Sequence, residues 1–119
     1  MITLKERVCE LLSGTCEQVV CGRPAQIRRL PVLCWRESQN RCHAQADGAE
    51  YLAELNYSVD IFADSPESAG GIAAQVDARL TDAGFRREGS AELYEADAQI
   101  CHVNLRYRAL SDAQGKVYQ

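Results

Sequence analysis

The chain has 119 residues, of which 46% are hydrophobic and 25% are charged, and its 13 basic and 17 acidic residues give a net charge of −4. This length fits one domain over residues 1–119, and the composition excludes a disordered tail and a low-complexity protein. The acidic balance argues against a module that binds nucleic acid by neutralising its phosphates.

The six cysteines would indicate a disulfide framework if the protein were secreted. However, the start of the chain carries mixed charge where a signal peptide needs an uninterrupted apolar run. No stretch approaches the ~20 apolar residues of a membrane span. We therefore expect free thiols in a reducing cytoplasm and no membrane partner.

The N-terminal segment predicts a helix. Thr3-Leu4-Lys5-Glu6 fits a capping box, in which the Thr3 hydroxyl accepts a hydrogen bond from the Glu6 amide. Gly14 supplies the stop. The apolar stripe of this helix consists of Leu4, Val8, Leu11 and Leu12.

Two short strands are predicted next, at residues 19–21 and 32–37, joined by a connection that contains two prolines. Residues 38–49 are polar and have no clear period. We expect a mobile loop there, because connections of this length are more often functional than idle.

The longest strand is predicted at residues 51–63, where apolar side chains alternate with mainly polar ones. The core face would consist of Tyr51, Ala53, Leu55, Tyr57, Val59, Ile61 and Ala63. A second helix should then begin with Ser65 as N-cap and Pro66 at its first position. Gly84 should end it in a left-handed cap, with Phe85 packing back as in a Schellman motif.

A final hairpin is predicted from residues 86–95 and 99–109 around Ala96-Asp97-Ala98, followed by a frayed tail at 111–119. The second strand should direct Cys101 and alternate residues toward the core. The order of elements predicts a single α+β domain with a mostly antiparallel sheet of four to five strands and two helices packed on one face.

The other face of the sheet is the candidate functional surface. It would expose Leu52, Phe62 and Ile100 among charged side chains, a pattern typical of a protein contact surface. The alternative is that the charged residues only pair across neighbouring strands. The charged group consists of Glu54, Asp60, Arg106 and Arg108.

A metal site is the first chemical alternative, because the region from Cys16 to His43 holds enough ligands for tetrahedral zinc. It contains no Cys-x-x-Cys pair. The candidate ligands are Cys16, Cys21, Cys34, Cys42 and His43. A small zinc- or thiol-dependent binding module remains the alternative function.

Catalytic groups do not form a pattern. Cys101 and His102 are adjacent in a predicted strand, so their side chains should point to opposite faces. Glu54 and Asp60 lie six residues apart on one strand face, about 20 Å, which is too far for an acid/base pair. We expect no enzyme and no cofactor.

Several segments resemble small tail proteins of long-tailed bacteriophages and prophages, in the tail-terminator (tail-completion, head-tail joining) family. The resemblance covers most of the chain through the order of short motifs. These are Gly22-Arg23-Pro24, Leu30-Pro31, Val59-Asp60-Ile61-Phe62-Ala63, Asp64-Ser65-Pro66-Glu67, Ala83-Gly84-Phe85-Arg86-Arg87, Leu93-Tyr94-Glu95 and Leu105-Arg106-Tyr107-Arg108-Ala109.

The resemblance implies a non-enzymatic subunit that caps the tail tube as a ring, often six-fold (a hexamer) in such proteins, and joins it to the head connector. Its partners would be further copies of itself, the tail tube protein and the head-tail connector protein. It would reside in the virion tail, and in the bacterial host cytoplasm during assembly. The family supplies no catalytic or contact motif, so the candidate interface residues follow from the strand and charge pattern alone: Arg41, Leu52, Phe62, Arg106 and Arg108.

Overall fold

The computed structural model describes residues 1–22, 29–96 and 99–118. These residues form α1 Lys5–Leu12, β1 Val19–Cys21, β2 Val32–Ala46, β3 Ala49–Ala63, α2 Pro66–Asp82, β4 Arg86–Glu95, β5 Ile100–Asp112 and β6 Val117–Tyr118. The strand order is β1-β2-β3-β5-β4, and β6 pairs with β5. All pairs are antiparallel except β1 with β2. The predicted α+β domain is confirmed, with six strands where four to five were expected.

The start of α1 differs from the predicted capping box. Leu4 occupies the N-cap position and makes no side-chain cap. The Thr3 hydroxyl instead donates to the Glu37 carboxylate on β2 at 2.8 Å, while the Lys5 amide donates to Thr3 at 3.3 Å. A tertiary contact between the helix start and the sheet has therefore replaced the local reciprocal cap, so that part of the prediction is wrong.

The predicted loop at residues 38–49 is also wrong, because β2 continues to Ala46 and pairs with β3 in a long hairpin. Asp47 and Gly48 form the turn with φ values of 54° and 77°, as a two-residue type I′ hairpin requires. We call residues 38–53 the hairpin arm. Its polar sequence lacks a period because most of it is exposed on both faces.

The core lies between the two helices and one face of the sheet. The predicted core face of β3 is confirmed from Ala53 to Ala63, whereas Tyr51, near the tip of the arm, is 48% exposed. The facing side of β5 and the stripe of α2 belong to the same cluster. Burial raises the pKa of Tyr107, whose hydroxyl therefore stays protonated and donates to Asp77 at 2.9 Å.

The helix α2 begins and ends as predicted. The Ser65 hydroxyl accepts from the Ser68 amide at 3.1 Å, and Pro66 occupies the first turn. At the other end Gly84 has φ 96°, and the amides of Gly84 and Phe85 donate to the carbonyls of Thr81 and Leu80, respectively. These two bonds define a Schellman motif. In the described part of the chain, neither helix is long and apolar enough to cross a membrane.

Replacing Ser65 with alanine is expected to lower the free energy of unfolding by about 1 kcal/mol, because the Ser68 amide loses its acceptor. Urea denaturation followed by circular dichroism measures the change. Ser65→Asp is the control and should remain near wild type, since aspartate caps equally well. Equal stability of Ser65→Ala and wild type would contradict this cap.

The C-terminal segment is ordered where we expected a frayed tail at 111–119. β5 continues to Asp112, and β6 pairs with it through Val117 and Tyr118. The Asp112 carboxylate accepts hydrogen bonds from the Gln114 and Lys116 amides and from the Tyr118 hydroxyl. The prediction is therefore wrong up to residue 118, because one side chain organises the turn that precedes β6.

Candidate subunit interface

The outer face of the sheet, opposite the helices, carries rows of side chains that run across the strands. Arg41 lies beside Glu54, and Asn56 lies beside Arg108 in the next row. Ser58 and Arg106 form the following row. The even-numbered residues of β3 and β5 thus share this face because successive side chains of a strand alternate.

Glu54 organises the charged part of this face. Its two carboxylate oxygens accept hydrogen bonds from Arg41 Nη2 at 2.7 Å and Arg108 Nε at 2.8 Å. The hydrogen bonds from Arg108 and then Arg41 lower the pKa of Glu54 from its ordinary 4.5 to about 2. Cross-strand pairing, the alternative left open by the sequence, therefore describes these three residues in the free subunit.

Replacing Glu54 with glutamine is expected to cost about 1 kcal/mol at neutral pH, because both arginine pairs are partly exposed and each contributes a fraction of that. The native pKa lies below the unfolded one, so the benefit is present above pH 4.5 and declines as pH falls toward 2.

Denaturation of both proteins at pH 7 and pH 3 checks the role of Glu54. The difference in unfolding free energy should shrink at the lower pH. An exposed glutamate outside the helices and without an ionic partner among the described residues, Glu17→Gln, is the matched control and should show no such dependence. A difference that grew on acidification would contradict the assigned pairs.

Three arginines of the outer face have no ionic partner. Among the described residues, Arg36, Arg86 and Arg106 are exposed, and their side chains make no hydrogen bond or ion pair. The guanidinium of Arg106 lies over the backbone of β4, where a Cβ on Gly89 would be only 2.5 Å from its Nη2 atom. The missing side chain at Gly89 thus leaves room for the Arg106 guanidinium. All three arginines remain available to bind acidic groups of another molecule.

Phe62 is not exposed as the strand pattern predicted. It is only 3% accessible and forms a small second cluster with Val32 and Cys34 on the outer face. Val20 and Leu30 cover this cluster, together with Ile100. The alternation of β3 placed Phe62 on the correct face, but it could not reveal that β1 and the connection before β2 pack against that end.

A polar network borders the Phe62 cluster. The His102 ring stacks on Phe62 with centroids 4.3 Å apart and lies 2.7 Å from the Asp60 carboxylate. Asn104 donates to Asp60 and Ser58, each at 3.0 Å. Cys101 packs on the core side, so its predicted separation from His102 is confirmed. The arrangement is a satisfied structural network rather than a nucleophile with its base.

The nominated interface residues do not form one patch. Arg41 and Arg108 meet on Glu54, and Arg106 lies in a neighbouring row. Half-buried Leu52 is the first residue of β3 that pairs with β5. Phe62 lies ten residues further along β3, which is about 33 Å away. These two ends of the sheet therefore have to be considered separately.

Three other apolar side chains are exposed that the sequence pattern did not indicate as interface residues. Leu93 and Tyr94 on the edge strand β4 are 54% and 64% exposed, and Tyr51 is 48% exposed on the arm. The Asp47-Gly48 dipeptide signals a hairpin turn and could have placed Tyr51 on an arm. Two consecutive large apolar residues in the otherwise polar segment 86–95 were the signal for Leu93 and Tyr94.

The predicted zinc or thiol module receives no support from the geometry. No three His, Cys, Asp or Glu side chains of the described residues are grouped as metal ligands. Cys42 and His43 are exposed on β2, whereas Cys34 is buried at the other end of that strand. The six cysteines, all within the described ranges, form no disulfide.

The fold and its surfaces thus define a small α+β domain suited to contacts with other proteins. A family model for tail completion protein gp17 matches residues 5–112, and the chain belongs to this family. The predicted membership is confirmed, and the protein is a structural phage tail protein.

A solved structure shares the fold. A chain from the virion of native gene transfer agent (GTA) particle is 14% identical and superposes with a TM-score of 0.58, with 85% of this chain and 81% of that chain covered. No curated protein matches the sequence.

Proposed function

We propose that this protein caps the tail tube as an oligomeric ring and joins the tube to the head connector without catalysing a reaction. The match of the tail-completion family over residues 5–112 carries the proposal, because it spans every element from α1 to β5. The similar chain in a gene transfer agent virion is compatible with a place in the virion tail.

The shape and charge of the subunit support this role. A ring needs two different surfaces that fit each other, and this sheet has chemically distinct ends and an arm that gives the molecule a length of 53 Å. The net charge of −4 disfavours adhesion of DNA that passes through the ring.

Of the nominated residues, Arg106 is exposed without a partner, whereas Arg41 and Arg108 are already paired with Glu54. Leu52 is half-buried within the hairpin arm. These four remain our candidates for contacts with a neighbouring subunit, the tail tube protein or the head-tail connector protein. Phe62 would support such a surface from beneath, because its own side chain is covered.

Deletion of the gene from an assembling system tests the function. We expect tails of abnormal length, or heads and tails that remain separate, in electron micrographs. Expression of the wild-type chain in trans should restore joined particles, and so should the surface control Ala74→Lys, whose substitution lies on exposed α2. Normal infectious particles from the deletion would contradict the proposed function.

A further inference from the structure

The large exposed apolar side chains in the described part of the chain lie at two opposite ends of the sheet. Apart from Met1, these residues are Tyr51, Leu93, Tyr94 and Tyr118. Tyr94 pairs with Cys101 at the start of β5, whereas Tyr118 pairs with Leu110 near its end. Nine residues of extended strand separate these positions, about 30 Å, so one copy cannot cover one site with the other.

The first site, which we call the acidic end, is the end of β4 beside the start of α2. Leu93 and Tyr94 are consecutive, so one projects from the outer face and the other from the helix face of an edge strand. A groove of about 400 Å³ runs beside them and is lined in part by Pro66, Ala69 and Gly70. The carboxylate of Glu92 lines this groove, and Glu67 and Glu95 directly follow the lining residues Pro66 and Tyr94 in the chain.

The second site, the basic end, surrounds Leu110 and Tyr118. One groove there includes Tyr51 and Leu52, and an adjoining groove shares Leu110 and Tyr118. The basic lining residues are Arg86, Arg87 and Arg108.

The carboxylates beside the basic end are already occupied. Asp112 accepts hydrogen bonds from two amides and the Tyr118 hydroxyl, and Glu54 is held by two arginines. Arg86 has no partner among the described residues. The basic end therefore has an uncompensated cation next to apolar surface, which complements the carboxylates next to apolar surface at the acidic end.

We propose that the acidic end of one copy docks into the basic end of the next copy, with Leu93 and Tyr94 inserted against Tyr51, Leu52, Leu110 and Tyr118. The proposal deepens the proposed function, since it assigns the two surfaces through which the ring closes. The contact is heterologous, because the joined surfaces differ: one copy keeps its basic end unused and the other keeps its acidic end unused, so further copies can add until the ring closes. The open edge of β4 also offers unpaired backbone groups to the neighbouring copy.

A mixing experiment with two purified full-length variants tests the contact. The acidic-end variant carries Leu93→Lys and Tyr94→Lys, and the basic-end variant carries Tyr51→Glu and Arg86→Glu. All four positions are exposed, so both proteins should keep the wild-type circular dichroism spectrum. Sedimentation velocity and light scattering over a concentration series measure their association.

Wild-type protein should self-associate, and each variant alone should do so about tenfold or more weakly, because exposed aromatic and arginine anchors dominate such contacts. An equimolar mixture should form a 1:1 dimer and nothing larger, since each variant supplies the surface that the other lacks. Added salt should weaken the dimer, because screening reduces the attraction between its charged rims.

Ala74→Lys and Gln75→Glu are the matched controls, because they introduce a charge of either sign at exposed positions of α2 that line neither end. Both should associate as the wild type does. A wild-type chain that stays monomeric at its highest soluble concentration, or a mixture that contains no dimer, would overturn the proposed contact.

The outcomes separate this contact from the proposed function. If the mixture forms no dimer but the deletion gives defective tails, the proposed contact is wrong and the proposed function stands. If the mixture forms a dimer but the deletion gives normal tails, the contact stands and the proposed function is wrong.

Discussion

Tyr57→Ala is expected to lower the free energy of unfolding by about 4 kcal/mol, because it empties the centre of the core and breaks the link between α1 and the sheet. The ring is fully buried and contacts Trp35 and Phe85 with centroid distances of 6.4 and 5.9 Å. Its hydroxyl accepts from the Leu4 amide at 3.1 Å and donates to Glu37 at 2.9 Å. Burial raises the pKa of Tyr57 and keeps that donor protonated.

Urea denaturation followed by circular dichroism and tryptophan fluorescence measures the effect of Tyr57→Ala. Tyr57→Phe is the matched control, since it keeps the ring and should cost only about 1–3 kcal/mol for the hydrogen-bonding partners that it leaves unsatisfied. If Tyr57→Ala were as stable as Tyr57→Phe, the ring would not fill the core as the structure shows.

Phe85→Ala is expected to cost about 3–4 kcal/mol, because Phe85 is 2% exposed and its ring fills the space between the end of α2 and the sheet. It also follows Gly84 in the Schellman motif, so its packing fixes the direction in which the chain enters β4.

A double-mutant cycle with Tyr57→Ala isolates the contact between the two rings. The sum of the single effects should exceed the effect of the double variant by about 0.5–1.5 kcal/mol, the range of an aromatic pair. Phe85→Leu, which retains apolar volume, should cost less than Phe85→Ala. Additive effects, or a cost below about 1 kcal/mol for Phe85→Ala, would contradict this packing.

Local signals made α2 predictable from the sequence. Ser65, Pro66 and Gly84 act through backbone hydrogen bonds and φ angles within a few residues, and no distant contact overrides them. The alternation of β3 likewise identified its core face, since period-two burial depends only on the strand itself.

The errors occurred where distant residues decide the structure. The Thr3 hydroxyl could have capped α1 locally, but Glu37 lies within reach in the fold and accepts a hydrogen bond from this hydroxyl. The hairpin arm has no buried face over much of its length, so a hydrophobic period could not reveal β2 beyond residue 37. Phe62 is covered in part by Val20 and Leu30, which precede it by more than thirty positions, and strand alternation does not encode such contacts.

The candidate interface was only partly predictable for a related reason. The sequence located Arg41 and Arg108 on the outer face, but only the register shows that both meet on Glu54. Leu93 and Tyr94 indicate a contact surface only once β4 is known to be an edge strand, because no neighbouring strand covers the outer side of β4.

The position of the protein in the assembled particle tests the central claim most directly. Electron cryomicroscopy of complete particles, with density assigned by the distinctive hairpin arm, would locate every copy. The account predicts a single ring at the head-proximal end of the tail tube, with adjacent copies joined acidic end to basic end. Copies distributed along the tube, confined to the distal tip or absent from the particle would contradict it.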